Sequence, residues 1–359
     1  MEKRALIAMS GGVDSSVAAW LMQQAGYDCI GATMKLFQNG DIGLSNEHTC
    51  CSLEDVEDAR QVAGAMGIPH YVFNFSDRFR EQVIDRFVAA YESGATPNPC
   101  IDCNRFLKFG QLYHRARELD CGWVVTGHYA RIGRDPVTGR YLLQKAADPD
   151  KDQSYVLYHL TQEQLAHTRF PLGELTKPRV RAIAQEQGFV TAHKHDSQDI
   201  CFVPNGKYAD FIRSYTGRAY PEGDFVNGEG EVLGRHKGII CYTVGQRKGL
   251  GLALQYPAYV CRVDPAANTV TLGTEDRLFT RELAARDLNL ISVPEIRGEM
   301  RVKAKVRYRQ KEQWATVTQP EPDLMRVIFD QPQRAITRGQ SVVLYDGDVL
   351  VGGGTITET

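Results

Sequence analysis

The sequence lacks long apolar runs and has no excess of charge of one sign. No stretch of the 359 residues approaches 18 consecutive apolar positions, so no conventional transmembrane helix is expected. The N-terminus enters a short apolar run without the small-residue cleavage site of a secretory signal. Lys and Arg (42) nearly balance Asp and Glu (44), for a formal net charge of −2. Any nucleic-acid-binding surface must therefore be a local basic patch. We expect a cytoplasmic protein that does not associate with membranes.

Two common nucleotide-binding signatures are also missing, and the cysteines do not suggest a disulfide framework. The chain has neither the Gly-Lys-Ser/Thr ending of a Walker A loop nor a Rossmann glycine fingerprint. Its nine cysteines are an odd number spread over a long chain, which is typical of thiols, metal ligands or redox groups in a reducing compartment. Cys29, Cys121, Cys241 and Cys261 have apolar neighbours, so we interpret them as small buried hydrophobes.

Hydrophobic periodicity predicts three regions of different character. In the first, strands alternate with helices, which indicates βαβ units and an α/β fold with a parallel sheet covered on both faces. The pattern becomes helical after about residue 161, and from about residue 234 it consists of short alternating runs typical of an all-β barrel or sandwich. The predicted domains are residues 1–162, 163–235 and 236–359. The predicted elements of the first region are strands at 5–9, 29–34, 70–75 and 123–127 and helices at 15–24, 53–66, 77–91 and 106–118. The predicted strands of the last region are 239–244, 258–263, 269–272, 300–308, 314–318, 326–329 and 341–350, the last with a hairpin turn at Asp346-Gly347.

The segment Ser10-Gly11-Gly12-Val13-Asp14-Ser15-Ser16 lies between the first predicted strand and helix. Its glycines let the backbone approach a ligand closely, and a helix N-terminus adds amide donors and positive potential. Ligands bind such sheets beyond the carboxyl ends of the strands. Gly-Gly alone would be an ordinary turn, but the full heptad resembles the pyrophosphatase loop of the PP-loop ATPases. Those enzymes cleave ATP between the α and β phosphates and adenylate a carbonyl oxygen.

Three cysteines lie in polar segments that are poor candidates for core packing. Cys100 and Cys103 follow two prolines in residues 97–104, which predicts a loop, and Cys201 lies in residues 196–202. A C-x-x-C pair is compatible with a zinc half-site, a redox pair, part of an iron–sulfur site or a catalytic thiol with a neighbour. A closed zinc site needs a fourth ligand, which Cys50 or Cys51 would have to supply.

With these segments, the chain resembles the bacterial tRNA-specific 2-thiouridylases (the MnmA/TrmU family) over essentially its whole length. Besides the heptad, five segments in the family's order carry the resemblance: Pro97 to Asn104, Thr126-Gly127-His128-Tyr129-Ala130, Lys151-Asp152-Gln153-Ser154-Tyr155, Asp196 to Phe202, and residues 242–251 (YTVGQRKGLG).

The resemblance implies an ATP-dependent sulfurtransferase that adenylates the C2 oxygen of the wobble uridine. Sulfur would arrive as a persulfide on Cys201, and Cys103 would act as the nucleophile, leaving a Cys103–Cys201 disulfide as the spent form. The implied partners are glutamate, glutamine and lysine tRNAs and a persulfide donor protein or sulfide. The implied cofactors are ATP and Mg²⁺, and Asp14 is the nearest candidate magnesium ligand.

One position departs from the family, in which Asp stands where this chain has Cys100. That cysteine is either a bystander or, with Cys103 and Cys201, the third ligand of an iron–sulfur cluster. We favour the persulfide route.

The resemblance also implies the binding residues. Those for ATP are Ala8, Met9, Ser10, Gly11, Gly12, Val13, Asp14, Ser15, Met34 and Gly127. Those for the target base are Asn98, Pro99 and Cys100. Those for tRNA are His128, Lys151, Asp152, Gln153, Arg307, Tyr308 and Gln340.

A basic stripe is visible without any family. Every odd position from Arg301 to Lys311 is basic, and the even positions include Val302, Ala304 and Val306. In a strand this pattern gives a cationic face and an apolar back. A soluble edge strand protected by lysine is the ordinary interpretation, whereas six cations on one face favour phosphate binding.

Two other functions remain open. A small-molecule PP-loop ligase or amidotransferase would share the heptad, but it leaves the cysteine segments and the basic β region unexplained. A metal-stabilised RNA-binding protein would use the three cysteines for zinc and leave the heptad without a purpose.

Overall fold

The computed structural model describes residues 3–37, 53–194, 200–203 and 206–359. Cys50, Cys51 and the first residues of the Cys201 segment lie outside these ranges. The chain divides into two compact units. The first contains residues 1–83, 100–206 and 348–350, and the second contains residues 84–99, 207–347 and 351–359. No helix in the described ranges is long and apolar enough to cross a membrane.

The helices and strands are as follows, in chain order. The α-helices are α1 (Val13–Gln24), α2 (Leu53–Ala65), α3 (Ser76–Phe79), α4 (Asp85–Glu92), α5 (Pro99–Asp102), α6 (Leu112–Glu118), α7 (Gln162–Ala166), α8 (Lys177–Glu186) and α9 (Tyr208–Thr216). The strands are β1 (Arg4–Ala8), β2 (Asp28–Lys35), β3 (His70–Asn74), β4 (Trp123–Val125), β5 (Arg131–Arg134), β6 (Tyr141–Gln144), β7 (Thr168–Arg169), β8 (Gly223–Val226), β9 (Val232–His236), β10 (Tyr259–Asp264), β11 (Thr269–Gly273), β12 (Phe279–Leu290), β13 (Met300–Lys305), β14 (Gln313–Glu321), β15 (Leu324–Arg334), β16 (Ser341–Asp346) and β17 (Val349–Glu358).

The first unit is built on a parallel sheet in the order β3-β2-β1-β4-β7. The central strand β1 pairs in parallel with both β2 and β4. Ala5, Leu6 and Ile7 of this strand are fully buried, as expected where helices cover both faces of a parallel sheet. The predicted α/β fold is confirmed, and the carboxyl end of β1 leads directly into the glycine-rich heptad.

The second unit contains two β structures. Strands β8 to β11 form a four-stranded sheet in the order β10-β11-β8-β9. Strands β12 to β17 run in the order β12-β15-β14-β13-β16-β17, and a further β12–β17 pairing closes them into a barrel. The core of this barrel consists of inward-facing residues such as Val302, Val317 and Val327. The predicted C-terminal all-β barrel is therefore confirmed.

Two strand predictions were wrong in part. Residues 239–241 form one turn of 3₁₀ helix rather than a strand. Gly238, at φ +98°, redirects the chain there, while Ile240 and Tyr242 remain buried. Strand β13 ends at Lys305, because the next amide, Val306 N, donates to the Gln310 side chain instead of to a neighbouring strand.

The basic stripe is therefore shorter than predicted. The alternation holds from Arg301 to Lys305, and Val302, Ala304 and Val306 are buried. The cations from Arg307 onward lie in a turn beyond the strand. The edge-strand interpretation was wrong, because β13 pairs with both β14 and β16. Arg301 also forms an ion pair with Asp330, which offsets part of the positive charge.

Candidate active site

The heptad forms the turn between β1 and α1. Gly12 is the extended N-cap residue of α1, and Ser16 N donates to its carbonyl at 3.2 Å. Gly11 has φ +71°, and a Cβ atom there would lie 2.7 Å from Asp55 Cα. No other residue fits at this position, because both the backbone conformation and the contact with α2 exclude a side chain. The turn leaves the first amides of a 12-residue helix available to an anion.

Serine hydroxyls hold the turn in shape. Ser15 Oγ accepts a hydrogen bond from Ser10 N at 3.2 Å and donates to Gly12 O at 3.0 Å. Ser16 Oγ donates to the same carbonyl at 3.0 Å. These bonds connect both ends of the turn, so the binding loop is formed before any ligand arrives, which lowers the entropic cost of binding.

A buried lysine contacts the acidic residue of the heptad. Lys177 Nζ lies 2.7 and 2.8 Å from the two carboxylate oxygens of Asp14. The lysine side chain is 9% exposed and the aspartate 32%. Tyr129 OH donates to Asp14 Oδ1 at 2.8 Å. Lys177 begins helix α8 and was not among the predicted site residues. A cation is disfavoured at a helix N-terminus, and this was the available signal that Lys177 has a specific partner.

A second lysine reaches the loop from the segment before Cys201. Lys194 Nζ donates to Gly11 O at 3.2 Å and to Asp55 Oδ1 at 2.8 Å, and it also pairs with Asp58. Burial lowers the pKa of Lys194, but the hydrogen bonds and charges of Asp55 and Asp58 outweigh it, so the net shift is upward. Lys194 therefore remains cationic beside the loop.

These groups fit a nucleotide polyphosphate. Amide N–H groups and lysine ammonium groups are the donors that phosphates prefer. In the described ranges, no three or more His, Cys, Asp or Glu side chains are grouped to hold a metal ion. Mg²⁺ usually binds through one or two carboxylates plus phosphate oxygens, so Asp14 is compatible with it without such a cluster. The same finding gives no support to an iron–sulfur site at Cys100, Cys103 and Cys201.

Gly127 allows the chain after β4 to approach the start of α1. A Cβ atom at this position would lie 2.8 Å from Asp14 C and 2.9 Å from Ser15 N. Gly127 therefore packs directly against the backbone of the heptad. Met34, also predicted to bind ATP, lies near the carboxyl end of β2, which is paired with β1 in the same sheet.

His128 is a buried, neutral histidine. It is 7% exposed, and its ring lies between hydrogen-bonding partners: Thr126 Oγ1 is 2.7 Å from Nδ1, and Lys108 Nζ is 3.4 Å from Nε2. Lysine only donates, so Nε2 is the acceptor and Nδ1 carries the proton. Burial, and then the charge of Lys108, holds the pKa of His128 well below 6.5. A contact with tRNA at this position stays a prediction.

The predicted tRNA-contacting segment 151–153 has internal partners. Gln153 Oε1 accepts from Tyr129 N at 3.0 Å, and Gln153 N donates to Tyr129 O at 2.8 Å. Asp152 accepts from Ala146 N and from Ser154. The side chains of Asp152 and Gln153 therefore fix the local backbone, including Tyr129, which contacts Asp14. Whether Lys151, Asp152 and Gln153 also bind tRNA stays a prediction.

The cysteine segments differ from the predicted loop. Pro99 opens the short helix α5, where its missing N–H removes no hydrogen bond, and a π-helix follows from Cys103 to Gln111. Cys100 is exposed, whereas Cys103 and Cys201 are half-buried. Phe202 is 1% exposed and packs edge-on against Phe79, which anchors the chain beside Cys201.

Burial distinguishes Cys29 and Cys121 from these three cysteines. It raises the pKa of Cys29 and Cys121 to about 11, so these thiols remain protonated and unreactive. Both are 3% exposed, which confirms that they are small core residues. The same prediction was wrong for Cys241 and Cys261, which are only half-buried.

The remaining predicted RNA-contacting residues belong to the second unit. Asn98 and Pro99 precede Cys100 in the chain, and the segment before them is held by Gln340, whose Nε2 donates to Thr96 O at 2.7 Å. Arg307 Nη2 donates to Ala335 O at 2.5 Å and to Thr337 Oγ1 at 3.2 Å. Tyr308 follows in the same turn. Their roles in binding RNA stay predictions.

These features define a nucleotide-binding α/β protein of the PP-loop class. They are the parallel sheet, the preformed turn of glycines and serines at the carboxyl end of its central strand, and the two lysines beside that turn. Family models match three successive segments. They are described as the tRNA methyl transferase HUP domain (residues 3–205), the tRNA methyl transferase PRC-barrel domain (209–274) and the aminomethyltransferase β-barrel domain (280–356). The earlier partition at residues 162 and 235 stays a prediction.

Relatives that match this chain over its full length show which family within that class it belongs to. The tRNA-specific 2-thiouridylase MnmA of Clostridioides difficile is 51% identical over 100% of this chain and 99% of its own. That of Acetivibrio thermocellus is 51% identical over 99% of both chains. A solved 4-thiouridine synthetase–RNA complex with bound ATP matches 59% of this chain and 50% of its own, at 16% identity and a TM-score of 0.36, too distant to bear on function. This chain belongs to the tRNA-specific 2-thiouridylase MnmA family, as the sequence motifs indicated.

Proposed function

We propose that this protein uses ATP to replace the C2 oxygen of the wobble uridine of tRNA with sulfur. The full-length similarity to relatives named tRNA-specific 2-thiouridylase carries the proposal. The loop geometry supports it, because a preformed anion site with Lys177 and Lys194 suits the polyphosphate of ATP. Both cysteines required for sulfur transfer are half-buried in the same unit as this loop.

In the first step, the uridine O2 attacks the α-phosphorus of ATP and pyrophosphate leaves. The amides of the loop and the two lysines stabilise the charge that builds up on the phosphates. Asp14 would hold Mg²⁺ together with phosphate oxygens, and the ion would supply further neutralisation of that charge. The product is an O-adenylated base, in which a poor leaving group has become a good one.

In the second step, the terminal sulfur of a Cys201 persulfide attacks C2, and the C2–O bond breaks with release of AMP. Cys103 thiolate then attacks Cys201 Sγ. The bond between Cys201 and the transferred sulfur breaks, its electron pair stays with 2-thiouridine, and a Cys103–Cys201 disulfide forms. An external dithiol reduces that disulfide, and a persulfide donor protein then transfers its terminal sulfur to the Cys201 thiolate, leaving its own thiol. Sulfide instead reloads Cys201 by attacking the disulfide at Cys201 Sγ, which forms the persulfide and expels the Cys103 thiolate. This chemistry fits a reducing, cytoplasmic compartment.

The substrates in this proposal are glutamate, glutamine and lysine tRNAs. Asn98, Pro99 and Cys100 are proposed to contact the flipped base, because bases of anticodon loops are read in an unstacked state. His128, Lys151 to Gln153, Arg307, Tyr308 and Gln340 are proposed to hold the surrounding RNA. Cys100 is proposed as a bystander to sulfur transfer.

The test is an assay of 2-thiouridine and AMP with anaerobically purified protein, unmodified tRNA, ATP–Mg²⁺ and a persulfide source. Wild type and Cys100→Ser should form both products, whereas Cys103→Ser and Cys201→Ser should fail to thiolate. Cys100→Ser is the matched control, because it removes a thiol three residues from Cys103 while a serine of similar size keeps the proposed contact with the base. Loss of activity in all three variants together with bound iron would favour a cluster instead. ATP turnover without thiolated tRNA would favour a small-molecule ligase.

A further inference from the structure

A glycine-rich loop in the second unit, residues 243–251, has a defined shape and an exposed basic tip. Gly245 N donates to Val260 O and Val260 N donates to Gln246 O, which attaches the loop to β10. The Gln246 side chain accepts from Thr243 N at 3.1 Å and donates to Lys248 O at 3.0 Å. The loop therefore presents Arg247 and Lys248, both exposed, from a fixed backbone.

Arginines from separate segments converge beside this loop. The guanidinium groups of Arg247 and Arg334 lie 6.0 and 5.3 Å from the centroid of the same ring, that of Tyr259. A Cβ atom on Gly245 would lie 3.7 Å from an Nη atom of Arg334 and 3.9 Å from one of Arg307. Both guanidinium groups therefore lie beside Gly245 at the base of the loop, where φ +89° and Ala335 Cβ, 2.8 Å from a Cβ at this position, exclude a side chain.

Within the described residues, Arg247, Lys248 and Arg334 bring three cations to this point. Glu275 accepts from Arg334 Nε at 3.1 Å and offsets one of them. Like charges at such separations repel, and a bound anion would relieve the repulsion. Phosphodiesters suit the site, because guanidinium groups bind them through paired N–H donors.

A cleft of about 220 Å³ adjoins Arg247. Leu252, Leu254 and Tyr256 contribute to its lining, and Tyr256 is exposed. An aromatic surface beside an arginine is the usual combination for binding a nucleotide, since the base stacks while the phosphate is held by charge.

We propose that Arg247 and Arg334 bind a backbone phosphate of the tRNA substrate, and that the adjoining cleft receives the ribose or base of the same nucleotide. The proposal rests on the proposed function, because it assigns a new contact to the same RNA. It adds a recognition element beyond Arg307, Tyr308 and Gln340.

The experiment measures binding of the full-length protein to an unmodified tRNA transcript at several salt concentrations, with thiolation assayed in parallel. Arg247→Gln and Arg334→Gln should each weaken binding about tenfold, the loss expected for one charge-assisted contact. Each should also reduce the slope of log K against log salt by about 0.9. Tyr256→Ala should weaken binding without changing the slope, since stacking releases no counterions. Arg326→Gln, an exposed arginine of β15, is the matched control and should leave both quantities unchanged.

Arg247→Lys tests whether the loss in Arg247→Gln comes from misfolding. It keeps the positive charge, so it should retain most of the salt dependence of binding. Wild-type affinity and slope in both arginine variants, with wild type thiolating normally, would overturn this site and leave the proposed function standing. Loss of RNA binding in the variants of a protein that forms no 2-thiouridine would support the site and refute the function. A wild-type protein that binds no tRNA would refute both.

Discussion

Replacing Lys177 with methionine tests whether the Asp14–Lys177 pair organises the nucleotide loop. The lysine side chain is 9% exposed and makes two short hydrogen bonds to Asp14, so methionine would leave a carboxylate with only Tyr129 as a described protein donor. Removing one member of a buried ion pair costs about 3–5 kcal/mol. Because Asp14 is 32% exposed and water can replace part of the interaction, we expect a loss of about 2–3 kcal/mol in the free energy of unfolding of the first unit.

The assay is urea unfolding followed by tryptophan fluorescence in a Trp314→Phe background. This background removes the tryptophan of the second unit and leaves Trp20 and Trp123, which report on the first. Lys177→Met, Asp14→Asn and the double variant form a double-mutant cycle. Residues in direct contact should couple, and we expect a coupling energy of about 1.5 kcal/mol or more. Pyrophosphate release by Lys177→Met should fall about 100-fold, since one preorganised charge facing the phosphates is lost.

Arg179→Met is the matched control on the same helix. Its ion pair with Glu186 is about half exposed on both sides, so the change should cost less than about 0.5 kcal/mol. The reasoning is refuted if Lys177→Met unfolds like this control, or if the effects of Lys177→Met and Asp14→Asn are additive within about 0.5 kcal/mol.

Three further predictions follow from single contacts. Gly127→Ala should lower the melting temperature and slow pyrophosphate release, because its Cβ would lie 2.8 Å from the backbone of Asp14; a wild-type melt would contradict the close packing. The folded state holds the pKa of His128 low, so below about pH 6.5 the unfolded chain binds a proton that the folded chain does not. The free energy of unfolding should therefore fall as the pH drops from 7 to 5, as measured by urea titration. In the His128→Asn variant this fall should be smaller. Gln340→Ala removes the hydrogen bond to Thr96 O and should raise the KM for tRNA but not for ATP; an equal rise in both would contradict a local effect.

The parts of the fold that depend on local patterns were predictable from sequence. Strand β1, the heptad and helix α1 were predicted within two residues, because apolar periodicity, glycine and a helix N-terminus occur in consecutive residues. The alternation of Val302 and Ala304 correctly predicted the buried face of β13, and Val306, the residue after the strand, is buried as well. The alternation did not predict where that strand ends, because the end depends on the Gln310 side chain, which accepts a hydrogen bond from the next amide, Val306 N.

The missed features depend on contacts between residues far apart in sequence. Lys177 and Asp14 are 163 positions apart, and Lys194 and Gly11 are 183 apart. Lys194 lies among ordinary polar residues, so no local pattern distinguishes it from a solvent-exposed lysine. For Lys177 the one local signal is its position at the N-terminus of α8, which does not identify Asp14 as the partner. The turn at Ile239 to Cys241 was missed for a related reason: burial of Ile240 and Tyr242 gives the same alternation as a strand, while Gly238 sets the backbone direction.

The most direct test of the central claim follows the oxygen atom that is replaced. A tRNA carrying ¹⁸O at C2 of the wobble uridine is incubated with the protein, ATP–Mg²⁺ and a persulfide source, and the AMP is analysed by mass spectrometry. If ATP adenylates the C2 oxygen, that oxygen leaves with the phosphate, and AMP should carry one ¹⁸O for each 2-thiouridine formed. Formation of 2-thiouridine with unlabelled AMP would contradict adenylation of the base.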